Sequence, residues 1–156
     1  MVECLLEKGA DPNVTHSIDY TPLSAAVHGG NLSVVETILR NGGDARQGQL
    51  MHNAVLAHGE FPVKLAELLH HGAPLDDIHY ADHWPSLRFY QDLPRGTPLH
   101  KAAALGNVPA VKWWLAKGAD PKKCDVRGRY PSEVARMRGH GDVGSLLDRY
   151  SVVSRL

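Results

Sequence analysis

One short string recurs four times and dictates the architecture open to this chain. An apolar helix end runs into a glycine in LLEKGADP (5–12), ILRNGGDA (38–45), LLHHGAPL (68–75) and WLAKGADP (114–121). These glycines, Gly9, Gly42, Gly72 and Gly118, are 33, 30 and 46 residues apart. A second string opens segments: TPLSAAVHGG at 21–30 and TPLHKAAALG at 97–106. A weaker copy, YPSEVARMRG, lies at 130–139, and a degenerate one, QLMHNAVLAHG, at 49–59. A unit of about 33 residues cannot bury an apolar face alone, so it must stack on copies of itself.

Each position in the strings has a physical reason. Thr21 and Thr97 can cap a helix by accepting a backbone N–H through the hydroxyl oxygen. Pro22, Pro98 and Pro131 suit the first helical position, where an N–H would have no partner. The small residues Ala25, Ala26, Ala102 and Ala103 allow close approach of neighbouring helices. Gly30, Gly59, Gly106 and Gly139 then end that first helix, most favourably in the left-handed conformation. A second helix follows, with Val34/Val35 before Ile38/Leu39, Leu65 before Leu68/Leu69, and Val111 before Trp114/Leu115. That i, i+3, i+4 spacing describes a one-sided apolar face. The spacing predicts units of helix, tight turn, helix and extended loop.

The pattern resembles the ankyrin repeat, whose period is 33 and whose first helix opens on a TPLH-like tetrapeptide. Thr97-Pro98-Leu99-His100 matches outright, and Thr21-Pro22-Leu23-Ser24 in three of four places. Gly118-Ala119-Asp120-Pro121 and Gly9-Ala10-Asp11-Pro12-Asn13 match the closing loop. The resemblance implies an all-α solenoid of helix-turn-helix units with hairpin-like loops, a single domain over residues 1–156. Its parts are a half repeat at 1–15, repeats at 16–48, 49–78, 92–124 and 125–156, and a long loop insertion at 76–96. The half repeat lacks its first helix, so Val2, Leu5 and Leu6 are expected to leave apolar surface uncovered, as in a fragment of a longer protein. The last helix, expected over Asp142–Tyr150, carries Asp148 and Arg149 where Leu115 and Ala116 stand one repeat earlier. That polar face suits a terminal cap.

Two departures from the period are informative. Nine residues separate Gly42 from Met51, where fourteen separate Gly9 from Leu23 and Gly118 from Ser132. This loop has lost about a hairpin tip. From Gly72 to Leu99 there are twenty-seven, thirteen more than the repeat needs. The extra stretch holds Tyr80, Trp84, Phe89 and Tyr90, four of the chain's ten aromatic residues. A loop this apolar is docked as a lid, used as a binding finger, or both.

Charge divides the chain in two. Residues 1–94 hold five Lys/Arg against twelve Asp/Glu, a balance of −7, and residues 95–156 hold twelve against five, a balance of +7. A basic end of this kind attracts an acidic partner. No run approaches the roughly 20 apolar residues that span a bilayer. MVECLLEKGA lacks the basic flank and long apolar core of a signal peptide. The two cysteines, Cys4 and Cys124, suggest no disulfide framework, so an intracellular setting, cytoplasmic or nuclear, is expected.

Little points to chemistry. His79 and His83 lie among Asp76, Asp77 and Asp82, yet no cysteine accompanies them, and no metal site is assigned. His52 and His100 occupy the TPLH position, where the resemblance implies a structural hydrogen bond. Neither cysteine has a recognisable base, and no phosphate-cradling glycine loop occurs. No enzymatic activity and no cofactor are expected. Trp114 aligns with Ile38 and Leu147 and belongs in the core. Trp113 aligns with Thr37 and Glu67, which makes its exposure plausible.

The resemblance implies a non-catalytic protein-interaction module that grips its partner with loop tips and inner helices of the concave face. By register the contact residues are Ile18, Tyr20, His28, Arg46, Gln47, Trp84, Arg88, Phe89, Lys101, Leu105, Arg127, Arg129, Met137 and Arg138. The partner is expected to be a protein, acidic where it meets the C-terminal end, rather than nucleic acid or membrane, and the chain a monomer. The alternative is a structural spacer within a larger multidomain protein. Leu5, Asp11 and Asn13 also have the spacing that an asparaginyl hydroxylase favours in ankyrin repeats, which marks Asn13 as a modification site.

Overall fold

Thr21 and Thr97 each open a helix as their hydroxyls suggest. Thr21 Oγ1 accepts the Ser24 N–H at 3.1 Å, and Thr97 Oγ1 accepts that of His100. The computed structural model describes residues 1–15, 19–56, 66, 69–70, 72–81, 83–89 and 95–153, without the side chains of Leu87, Phe89 and Val153. Its regular structure is all helical. The helices are α1 (Val2–Glu7), α2 (Pro22–His28), α3 (Leu32–Arg40), α4 (Leu50–Leu56), α5 (Trp84–Phe89), α6 (Pro98–Ala104), α7 (Val108–Ala116), α8 (Pro131–Met137) and α9 (Gly141–Val153). The last is longer at both ends than the sequence suggests. Ala66, Leu69 and His70 are also helical. Gly59 and Leu65 lie outside the described residues.

A single device closes six of these helices. The N–H three residues past the helix bonds back to a carbonyl five residues earlier: Ala10 to Leu5, Asn31 to Ala26, Gly43 to Ile38, Asn107 to Ala102, Ala119 to Trp114 and His140 to Ala135, all at 2.9–3.1 Å. The residue before each of these donors is a glycine at positive φ: Gly9, Gly30, Gly42, Gly106, Gly118 and Gly139 span φ of 65 to 94°. This is the C-terminal motif that requires a left-handed residue, and glycine adopts it without Cβ strain. Asn31 and Asn107 then cap the following helix, accepting from Val34 and Ala110. Two glycines and one asparagine thus recur in the α2–α3 and α6–α7 repeats.

The chain forms two compact units. One comprises Met1–Pro74 with Tyr80–Gln91, the other Leu75–His79 with Asp92–Leu156. In the first, α2 packs against α3 and α4, and α1 against α3. Leu23, Val27, Val35, Ile38, Leu50, Met51 and Ala54 form its core. In the second, α6 packs on α7 and α8, and α9 on α7 and α8. Leu99, Val111, Trp114, Val143 and Leu147 are fully buried there. Trp114 is core as expected. Trp113 is also buried, at 8% exposure, with the Lys117 ammonium 5.7 Å from its ring centre. Its ring is edge-on to Trp114, with centroids 4.9 Å apart. The side-chain pair covers what the alignment with Thr37 and Glu67 suggested would be open.

The histidine of the TPLH string ties one repeat to the next. Thr97 N–H donates to His100 Nδ1 at 3.1 Å, which leaves Nε2 carrying the proton and donating to the Arg129 carbonyl at 2.9 Å. In the other unit the shortened loop changes the solution. Ser24 Oγ donates directly to the Gly48 carbonyl at 2.7 Å. The backbone comes so close that a Cβ on Gly48 would lie 2.1 Å from Ser24 Oγ. A missing hairpin tip and a short side chain at position 24 go together.

Candidate functional site

The hairpin tip of the second unit is built on Asp125. Asp125 N–H bonds to the Arg129 carbonyl at 2.9 Å and Gly128 N–H to the Asp125 carbonyl at 3.0 Å, with Gly128 at φ 75°. The buried carboxylate accepts from the backbone N–H of Arg127 and Arg129 and from the Arg129 guanidinium, at 2.6 to 3.0 Å. Burial pulls this carboxyl upward, but those donors outweigh it and hold it below the ordinary carboxylate range. Val126 N–H reaches the Arg95 carbonyl at 3.0 Å, joining the tip to the strand of chain before α6.

Beside this tip lie the ends of the inner helices. Leu105 is 49% exposed and Met137 67% exposed, although α6 and α8 pack against each other. Arg129 Nη1 sits 3.7 Å from Met137 Sδ. Lys101 is half-buried and Arg138 exposed. Burial first, and the Arg138 charge second, push the Lys101 ammonium below its ordinary value. Among the described residues neither cation has a carboxylate within ion-pair distance. Six of the expected contact residues, Lys101, Leu105, Arg127, Arg129, Met137 and Arg138, thus belong to one unit. Arg129 differs from the others, because its charge is already met by Asp125.

The first unit presents two smaller features. Arg46 is bidentate to Asp44 at 2.9 Å, and Gln47 Nε2 reaches the same carboxylate at 3.3 Å. The Arg46 guanidinium lowers the Asp44 carboxyl to about 2. An ion pair this exposed contributes little stability. Tyr20 and His28 are half-buried. Ile18 lies outside the described residues.

The second feature is the long insertion, which contains a helix that the sequence pattern does not announce. His83 Nδ1 accepts from Ser86 N–H at 3.3 Å and faces Ser86 Oγ at 2.8 Å, which caps α5. Fully buried Ser86 accepts the Asp19 N–H at 3.0 Å through its hydroxyl. Asp19 in turn accepts from Gly48 N–H at 2.9 Å and from Gln49 Nε2 at 2.7 Å, and Gln49 Oε1 accepts the Tyr80 N–H at 3.1 Å. Tyr80 is buried, whereas Trp84 is 70% exposed and Arg88, one turn later, is exposed too. The insertion both docks and displays. The Phe89 side chain and Tyr90 lie outside the described residues.

Sequence reasoning missed Asp19, Ser86 and Asp125, the residues that shape these surfaces. Asp125 had a usable signal in Asp-Val-Arg-Gly, a turn string. Asp19 and Ser86 are 67 residues apart and had none. Of the residues weighed for metal, His83 is engaged by Ser86, and Asp82 lies outside the described residues. Among the described residues no three His, Cys, Asp or Glu converge. Asn13, half-buried, uses both ends of its amide: Oδ1 accepts the Asp44 N–H at 2.7 Å and Nδ2 donates to the Gly42 carbonyl at 2.9 Å. Among the described residues no helix is long and apolar enough to cross a membrane.

Short paired helices, closed by left-handed glycines and bridged from one inner helix to the next loop, define a helical-repeat protein. Residues 99–147 match the family model for ankyrin repeats in many copies, and residues 19–47 the model for a single ankyrin repeat. The chain belongs to the ankyrin-repeat family. Repeats of this family are generally protein-interaction modules and typically non-catalytic. The chain is 32% identical to the ankyrin repeat protein nuc-2 of Neurospora crassa, over 94% of this chain and 13% of that one. It is 32% identical to the potassium channel AKT1 of Arabidopsis thaliana, over 91% and 19%. It is 28% identical to the transient receptor potential cation channel subfamily A member 1 of Drosophila melanogaster, over 82% and 10%. The chain spans less than a fifth of each of these relatives.

Proposed function

We propose that this chain binds a protein partner through hairpin tips and inner-helix ends, with Trp84 as a further anchor. The observation that carries the reading is the exposure of Leu105, directly after α6, and of Met137, the last residue of α8, although these two helices pack against each other. Side chains that the fold does not need, next to ones it does, are where a partner can be encoded. Lys101 and Arg138 set the sign of that partner. Two cations within electrostatic reach and without a carboxylate favour an acidic segment.

The test places a photo-crosslinking residue at Leu105, Met137 or Trp84, and as a control at Lys112, which is exposed on α7. Adducts from the first three and none from the fourth are expected in cells that express the protein. Adducts at Lys112 alone would reject the assignment of the surface. The spacer reading gains from the small share of each relative that the chain spans, and it predicts no adducts at any of the four. We also propose Asn13 as a hydroxylation site. Incubation with an ankyrin-directed asparaginyl hydroxylase should add one oxygen to the peptide holding Asn13, and an unchanged mass would exclude it.

A further inference from the structure

The chain has three methionines, and the fold treats each differently. Met51 is buried in the core of the first unit, and Met1 is fully exposed. Met137, the last residue of α8, is also exposed, but its sulfur has a neighbour: Arg129 Nη1 lies 3.7 Å from Sδ. That guanidinium is held in place by other bonds. Its Nε and Nη2 both donate to Asp125 Oδ2, at 2.9 and 2.6 Å. Asp125 is fixed in turn by the backbone N–H of Arg127 and Arg129. The third guanidinium nitrogen is thereby turned to Met137, and among the described residues it meets no acceptor other than the sulfur. A thioether accepts weakly, whereas a charged N–H is a strong donor. A rigid donor therefore faces an acceptor too weak for it.

Oxidation of the sulfur removes this mismatch. The sulfur lone pair attacks one oxygen of hydrogen peroxide, and the S–O bond forms as the O–O bond breaks. The proton of the transferred hydroxyl passes to the departing hydroxide, which leaves as water. Sulfur gives up two electrons and peroxide takes them. The product, a sulfoxide, is polar, and its oxygen is a far better acceptor than the sulfur was. A methionine sulfoxide reductase reverses the step with electrons from a thiol.

We propose that Met137 is a reversible, peroxide-sensitive modification site, and that its sulfoxide oxygen accepts the Nη1 hydrogen of Arg129. The bond ties the oxidised side chain to the hairpin tip that Asp125 organises. It also replaces an apolar side chain by a polar one on the surface that includes Leu105. The site is thereby a switch that weakens the partner's apolar contact. That consequence rests on the binding surface proposed above, whereas the oxidation itself does not.

The test treats the folded chain with millimolar hydrogen peroxide and follows each methionine by peptide mass spectrometry. Met137 should gain one oxygen roughly tenfold or more faster than buried Met51. A sulfoxide reductase supplied with a thiol should remove it. Equal rates at the two positions would overturn the site. The role of Arg129 is read separately, from the nitrogen–proton NMR signal of its guanidinium. In the oxidised chain that signal should shift and its hydrogen exchange should slow, and neither should happen in peroxide-treated Met137→Leu. An unchanged signal in the oxidised chain would overturn the bond to Arg129. A photo-crosslinking residue at Leu105 reads the consequence. Its adducts in cell extract should fall several-fold when the oxidised chain replaces the untreated one, and return after the reductase. Unchanged adducts from a chain shown to carry the Met137 sulfoxide would overturn the switch. No adducts from the untreated chain would reject the binding surface and not the oxidation site, which the mass spectrum reads by itself.

Discussion

Position 24 shows how a single side chain answers to the backbone it must reach. His100 spans a gap to the Arg129 carbonyl, and Ser24 closes a shorter one to Gly48. Gly48 is held at φ 78° with Ser24 and Thr21 within a Cβ's reach. Gly48→Ala should therefore cost about 3 kcal/mol, from left-handed strain plus overpacking. Urea unfolding would show it as a lower midpoint at unchanged slope. His100 makes a separate prediction. Burial above all holds its imidazole below the ordinary value of 6.5, and Nδ1 is already an acceptor for Thr97 N–H. The unfolded chain thus binds the proton more readily than the folded one. The contribution of His100 is complete above about pH 6.5 and declines as pH falls from there toward the depressed folded value. His100→Ala should lower stability by about 2 kcal/mol at pH 7.5 and flatten the loss between pH 6.5 and 5. Denaturant titrations across that range would measure both.

At the scale of elements, α5 separates docking from display. Ser86 holds the insertion to Asp19, so Ser86→Ala should cost about 1–2 kcal/mol by stranding that backbone donor. Trp84 touches little of its own protein. Trp84→Ala should leave the melting temperature within about 1 °C and, if it anchors the partner, weaken binding roughly thirtyfold or more. A large melting shift without loss of affinity would reverse these roles. The insertion also marks the limit of what could be read beforehand. Thr-Pro starts and glycine stops act within five residues, so they were legible in the sequence and fold as expected, whereas the caps on Asn31 and Asn107 emerged only with the structure. The helix in the insertion was not legible either, because its cap is a histidine and its anchor lies 67 residues away. The surface was legible as positions but not as chemistry. Arg129 fell on the expected tip, yet nothing local revealed that buried Asp125 would claim its charge. Trp113 misled for the converse reason: its neighbours in the alignment are polar, but Trp114 and Lys117 cover it.

For the whole molecule, the divided charge becomes a kinetic expectation. Arg127→Glu with Arg138→Glu should slow association with an acidic partner by tenfold or so at low salt, and the deficit should shrink as ionic strength rises. Stopped-flow association at several salt concentrations would show it, and a salt-independent deficit would point to lost packing instead. Exchange should also be uneven along the chain, fastest among the helices in α1, where Leu5 remains open, and slowest around Trp114. The links carried by Ser24 and His100 have one more consequence. Each joins a side chain of one repeat to a loop of the next, so the two ends are inherited together only when recombination leaves that junction whole. A crossover after Asn41 would give Ser24 a full-length hairpin that it cannot reach. One between Gly29 and Asn31 would do the same, whereas breakpoints inside the inner helix, ahead of Ser24, would carry donor and acceptor across as a pair. Duplication in a lineage of such chains should accordingly favour seams in the first turn of the inner helix over seams at the repeat's conventional edge.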